Sequence, residues 1–153
     1  MTPLDEFDRA ILRILQEDNR IPHRRIGEAV NLSAPSVQRR IRRMEAEGVI
    51  SANVARVNPR AVGLNLTLFV ELELVSETSD DIAAAKRALL DAPEVQQCHS
   101  VTGTMDFMVV VVVESMSAYE DFTRRVFLAN GNIRKFRTFV SMDTVKSGMA
   151  LAF

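Results

Sequence analysis

The chain holds 153 residues, 47% of them apolar, enough to bury a core in one domain or two small ones. Its single cysteine, Cys98, excludes a disulfide framework and the paired-cysteine zinc patterns, and the longest apolar run, 107–113, is too short to span a bilayer. Net charge is −1 but unevenly spread: residues 1–60 carry eleven arginines against eight acids, residues 61–153 eight Lys/Arg against twelve acids. With no leader-like opening, the composition predicts a soluble, cytoplasmic protein without a membrane partner, whose basic first part meets a polyanion.

In chain order, Leu4, Phe7, Ile11, Leu12 and Leu15 recur at helical spacing behind a first turn rich in acid (Asp5, Glu6, Asp8), which predicts a first helix. A second, short helix follows from Pro22, with Ile26, Ala29 and Val30 inward, and ends at Asn31, a residue that tolerates the left-handed conformation. Ser33 is the expected cap of a third helix reaching about Glu47, with Pro35 in its first turn. On this helix Val37, Ile41 and Met44 share one face, while Pro35, Arg39 and Arg42 lie opposite, flanked by Ser36, Gln38 and Arg43; Arg40 sits on the border, within reach of an acid such as Asp8 or Glu28, or of a phosphate.

A short helix, a turn and a second helix with a basic outer face is the helix-turn-helix pattern, with Gly27 permitting a close crossing. The basic residues here are all arginine, suited to bidentate contact with guanine and phosphate. Ser36, Gln38, Arg39 and Arg42 are the candidates for base edges. Arg24, Arg25, Arg40 and Arg43 are the candidates for phosphates, with Ser33 and Pro35 opening the same helix. After Gly48, "VISANVARVN" alternates enough to predict a strand or wing before Pro59.

"NLTLFVELELV" alternates strictly and predicts a strand with one apolar face. A helix is expected over 80–90 with Ser79 as cap, then strands "VQQCHSVT" and "DFMVVVVVE" joined by the loop Gly103–Asp106, then a helix opened by a Ser117/Glu120 capping box with Phe122 and Val126 inward, and a last strand "KFRTFVSMDTV". The order β-α-β-β-α-β is that of a ferredoxin-like unit. The strand 107–113 is apolar on both faces although two helices cover only one, so a second copy of the sheet is expected on the other, making a homodimer. The fold class is thus α+β: a winged helix-turn-helix domain over 1–50, a strand and hinge over 51–63, and a ferredoxin-like domain over 64–153. Met149–Phe153 form an apolar tail, expected to pack on a neighbouring sheet or subunit.

These elements, with "LDEFDRAIL", "LSAPSVQRRIRRMEAEGVI", "NPRAVGL", "VQQCHSVTGTMDF" and "SMSAYEDF" in this order, resemble the leucine-responsive regulatory protein/AsnC (Lrp/AsnC, feast/famine) family of prokaryotic transcription regulators over the whole chain. The resemblance implies a sequence-specific regulator of double-stranded DNA, associated with the nucleoid, whose homodimers assemble into octamers. It further implies no cofactor and no metal, but a small effector, often an amino acid, bound at the loop joining the second and third strands of the second domain. Carried over residue by residue, Gly103, Thr104, Met105 and Asp106 would line that site, joined by Phe136 and Thr138. Loop N–H groups can hold a carboxylate, while Asp106 can accept from an ammonium or fix the loop. The chain departs from the family pattern at Thr104, where an acid is common, and at Pro22, Arg25 and Asn31.

Two alternatives stand beside this one. An architectural DNA-wrapping protein needs many phosphate contacts, which the modest basic excess argues against. A tetrapyrrole decarboxylase on the same layout needs basic or histidine residues around its substrate, and the chain offers only His23 and His99, without a phosphate loop or nucleophile elbow. No enzymatic activity is expected.

Overall fold

A computed structural model describes residues 3–148 and 150–153, which form two compact units. One holds the chain up to Arg56 together with Lys146–Phe153, the other Val57–Val145.

In the first unit, α1 (Glu6–Glu17), α2 (His23–Val30) and α3 (Ala34–Ala46) enclose a core of Ile11, Leu12, Ile26, Val30, Val37, Ile41 and Met44. Asp5 caps α1 in a capping box with Asp8, and Ser33 caps α3 by accepting from the Ser36 N–H. The turn between α2 and α3 is built on two local features. Asn31 adopts φ 56°, ψ 44°, the left-handed conformation expected of it. At Gly27 a Cβ would stand 2.3 Å from the Leu32 carbonyl oxygen, so the close approach is to the turn backbone itself. Ala29, expected inward, is exposed, because Ile26 and Val30 already fill the face that α2 turns to the core.

The expected strand over 49–58 does not form: residues 51–58 lack regular secondary structure, and no described strand lies beside them to complete a ladder. A 3-10 turn at Pro59–Val62 follows, closed by Gly63 at φ 84°.

The second unit is a four-stranded antiparallel sheet of order β2-β3-β1-β4, with β1 Leu66–Leu74, β2 Val95–Ser100, β3 Phe107–Val113 and β4 Ile133–Val140. Its helices are α4 (Ser79–Leu90) and α5 (Met116–Phe122), the latter running on into a π-helical segment, Thr123–Leu128. The register sets Leu68 opposite Val111, Val70 opposite Val109 and Leu72 opposite Phe107, and these pairs share a face with Leu89, Phe122 and Phe127 in the core. Two caps differ from expectation. Thr78, not Ser79, caps α4, and Ser115, accepting from the Ala118 N–H, caps α5 in place of Ser117, which lies inside the helix.

Candidate nucleic-acid interface and effector loop

The four arginines of α3 divide into two pairs. Pro35, Arg39 and Arg42 are exposed on the face opposite Val37, Ile41 and Met44, with Gln38 beside them, and neither guanidinium has a hydrogen-bond or ion-pair partner among the described residues. Arg40 and Arg43 turn the other way. Arg40 Nη1 donates to Asp8 Oδ1 at 2.8 Å and to Asp5 Oδ2 at 2.7 Å, and Arg43 Nη2 donates to Asp8 Oδ2 at 2.5 Å. Asp8 is wholly buried, so α1 presents an interior carboxylate that two guanidiniums of α3 neutralise. The guanidinium of Arg40 also lies over the Phe7 ring, 5.5 Å from its centroid. The backbone N–H of Asp8 and the Arg40 guanidinium hold the Asp5 carboxyl below its ordinary value, and Asp8 and Asp5 raise that of Arg40.

Arg40 thus takes the acid partner that its border position allowed, Arg43 joins it, and both charges are engaged in holding α3 against α1. A signal was present in the sequence, since Asp8 falls in register with Ile11, Leu12 and Leu15, and an acid on an apolar stripe needs a buried partner. Of the other candidates, Arg24 and Arg25 reach Glu28 at 3.8 and 3.5 Å from exposed positions, pairings weak enough to yield to a phosphate. Ser36 and Ser33 share a hydroxyl hydrogen bond of 3.1 Å at the opening of α3. Eight candidates, Ser33, Pro35, Ser36, Gln38, Arg39, Arg42 and, on α2, Arg24 and Arg25, thus lie outside the core, and Arg39 and Arg42 supply positive charge with no partner among the described residues.

The loop Gly103–Asp106 joins β2 to β3, with Gly103 at φ 128°, a conformation that favours glycine. Asp106 anchors it. Its N–H donates to the Leu72 carbonyl at 2.8 Å, its Oδ2 accepts from the Leu74 N–H at 2.7 Å, and its carbonyl accepts from Val101. The N–H groups of Gly103, Thr104 and Met105 donate to no acceptor among the described residues. Phe136 pairs with Leu72 across β1 and β4, so it stands at the same end of β1 as the Asp106 anchor, with its ring 5.2 Å from that of Phe127. Thr138 lies two residues deeper, opposite Val70, and its Oγ1 is 2.5 Å from the Tyr119 hydroxyl. Burial pushes the Tyr119 phenol up, with the Thr138 hydrogen bond acting against it. The Asp106 anchor and Phe136 thus flank Leu72 from its two sides, and Thr138 is tied to α5.

The other face of the sheet carries Phe69 beside Phe139 and Val110, with Phe69 and Phe139 exposed by 42% and 46%. Glu71 and Glu73 continue the row, bonded to Arg137 at 3.0 Å and Arg134 at 2.8 Å. His99 lies exposed on β2 with Gln97 as neighbour at 3.4 Å, and no cluster of three or more His, Cys, Asp or Glu side chains suited to a metal occurs among the described residues. Burial pushes the Cys98 thiol up, with the charge of Lys86 acting against it. No helix among the described residues is long and apolar enough to cross a membrane.

The AsnC-type helix-turn-helix domain matches residues 4–45, and the Lrp/AsnC ligand binding domain matches residues 67–151. The chain belongs to the Lrp/AsnC family. An uncharacterised HTH-type transcriptional regulator of Sinorhizobium fredii is 38% identical over 97% of this chain and 88% of its own. Among solved structures, an AsnC family transcriptional regulator from Agrobacterium tumefaciens superposes with TM-score 0.91 at 32% identity, over 97% of each chain. A Neisseria meningitidis transcriptional regulator in complex with L-Met superposes with TM-score 0.91 at 25% identity, over 98% of this chain and 97% of that one. The matched domains and relatives are those of transcription regulators and not of enzymes, which sets the tetrapyrrole reading aside. The chain is an AsnC-type transcription regulator with a DNA-binding unit and a ligand-binding unit.

Proposed function

We propose that this Lrp/AsnC protein reads DNA sequence through α3 and that a bound amino acid modulates the binding. The observation that carries the first part is the outward pair Arg39 and Arg42, both without a partner among the described residues, on a helix whose other two arginines fix its placement. A helix presented this way fits the major groove, where an arginine can donate two hydrogen bonds to a guanine edge. Gln38 and Ser36 flank this pair and are the further base-edge candidates. Arg24 and Arg25 on α2 suit the phosphate backbone.

For the effector, three loop N–H groups, at Gly103, Thr104 and Met105, without acceptors among the described residues suit a carboxylate, with Phe136 as the candidate apolar contact. The L-Met complex of the Neisseria relative supports an amino acid as the ligand class. Asp106 acts in this reading as the anchor that shapes the loop, since its carboxylate is spent on Leu74. The exposed pair Phe69 and Phe139, beside Val110, is the face on which a second copy of the sheet closes, giving a homodimer that presents two α3 helices to two half-sites. Octamers built from such dimers belong to the same proposal.

The test is a titration of the duplex directly upstream of the protein's own gene against a scrambled duplex, at one near-physiological salt concentration, repeated with each amino acid singly. Tighter binding to the upstream duplex, shifted by one amino acid, is expected. Equal binding to both duplexes with no response to any amino acid would refute the proposal and favour an architectural role.

A further inference from the structure

The segment Lys146–Phe153 clusters with the DNA-binding unit, although the chain reaches it from the sheet unit, which ends at Val145. Its described residues have no regular secondary structure, and Met149 lies outside the described residues. The apolar tail, expected on a neighbouring sheet or subunit, meets α1 through Leu151 and Phe153. The Leu151 N–H donates to Gln16 Oε1 at 2.6 Å, and the Leu151 carbonyl accepts from Gln16 Nε2 at 3.2 Å. A single side-chain amide thus offers the paired acceptor and donor that an adjacent strand would offer. One helical turn earlier, Arg13 Nε donates to the Phe153 carbonyl at 2.9 Å, and the Arg13 guanidinium lies 5.8 Å from the centre of the Phe153 ring. Arg13 and Gln16 lie off the stripe of Asp8, Ile11, Leu12 and Leu15, and neither has any other hydrogen-bond partner among the described residues.

The DNA-binding unit is therefore joined to the sheet unit at both of its ends in sequence, once after Arg56 and again after Val145. The first connection runs through residues 51–58, which have no regular secondary structure. A second anchorage removes conformational freedom that one irregular linker leaves. We propose that the tail is a strap held through Leu151 and Phe153, that the Arg13–Gln16 face of α1 is its receptor, and that docking of the strap restrains the DNA-binding unit.

The contact pattern makes the recognition specific in two ways. Gln16 reads main chain at Leu151, so it fixes the register of the strap without regard to side chain. Arg13 reads the aromatic ring at Phe153 as well as its carbonyl, which selects that residue.

Amide exchange and 15N relaxation on the whole chain test this, with Gln16→Ala and a deletion of residues 150–153 as the two perturbations. Gln16 is exposed, so its replacement leaves the core of the unit intact. In the unaltered chain the Leu151 amide should exchange at least tenfold more slowly than in an unstructured peptide, and Gln16→Ala should abolish that protection while α2 and α3 amides are unchanged. In both variants the relaxation of residues 6–46 should report faster reorientation relative to residues 66–140 than in the unaltered chain. A Leu151 amide exchanging at the peptide rate in the unaltered chain would overturn the proposal, as would relaxation unchanged in both variants. The readouts need neither DNA nor effector, so their failure leaves the regulatory reading standing.

Discussion

Replacing Asp8 with Ala is the perturbation that most sharply separates the two arginine pairs of α3. The carboxylate is wholly buried and receives Arg40 and Arg43 at 2.8 and 2.5 Å. Removing one member of a buried ion pair costs roughly 3–5 kcal/mol, because the remaining charge is left without compensation. Here the cost is lower. The Arg40 and Arg43 side chains keep 22% and 33% exposure, so both guanidiniums reach water, and Arg40 retains Asp5 at 2.7 Å. Asp8→Ala should therefore destabilise the DNA-binding unit by about 2–3 kcal/mol. Arg39→Ala, at an exposed position without a partner, should stay within about 0.5 kcal/mol of the unaltered chain. Urea titrations read by exchange at α1 and α3 amides measure both, and a cycle with Arg40→Ala isolates the pair, with an expected coupling of about 1–2 kcal/mol. Stability of Asp8→Ala within 0.5 kcal/mol of the unaltered chain would refute the division and return Arg40 and Arg43 to the DNA contacts.

Three further outcomes are expected. Asp106→Ala leaves the Leu74 N–H without its acceptor and should destabilise the sheet unit by about 1–3 kcal/mol, seen as faster exchange of the Leu74 amide; an unchanged rate would show that the anchor is dispensable. Phe69→Asp should convert the proposed dimer to a monomer in sedimentation equilibrium without unfolding the chain, since Phe69 lies outside the core of its own unit; a persistent dimer would place the interface elsewhere. Asp5 titrates below its ordinary value in the folded chain, so the stability it contributes is complete above about pH 4 and is lost as pH falls through the lowered folded value. Acid unfolding curves of the unaltered chain and Asp5→Asn should therefore converge below pH 4, and a constant gap would contradict the assignment.

Much of this architecture was legible in the sequence because its determinants are local. The spacing of Val37, Ile41 and Met44 placed the core face of α3, Asn31 marked the end of α2 and Ser33 the start of α3, and the alternation from Leu66 to Leu74 placed β1. What escaped depends on partners distant in sequence. Asp8 is one of two acids within reach of Arg40, thirty-two positions on, but that Arg43, thirty-five on, shares the same carboxylate shows only once α1 packs on α3. Asp106 looks like a turn residue until β1 presents the Leu74 N–H. The alternation over 49–58 promises a strand, but a strand needs a neighbour to receive its hydrogen bonds, and none of the described strands lies there. Ser115 and Ser117 both suit the start of α5, and the choice falls to where β3 ends, at Val113. For the loop Gly103–Asp106, the tight turn was readable from Gly103, whereas the three N–H groups without acceptors among the described residues required the fold.

The measurement that bears most directly on the account is the affinity of Arg39→Ala for the upstream duplex and for a series of the same duplex with single base pairs changed, at fixed salt, alongside Arg40→Ala. If α3 reads sequence through its outward arginines, Arg39→Ala loses about 1–3 kcal/mol on the unaltered duplex, and the penalty disappears where one particular base pair has been changed. An equal loss on every duplex would make Arg39 a backbone contact, and no loss at all would contradict α3 as the DNA-reading element.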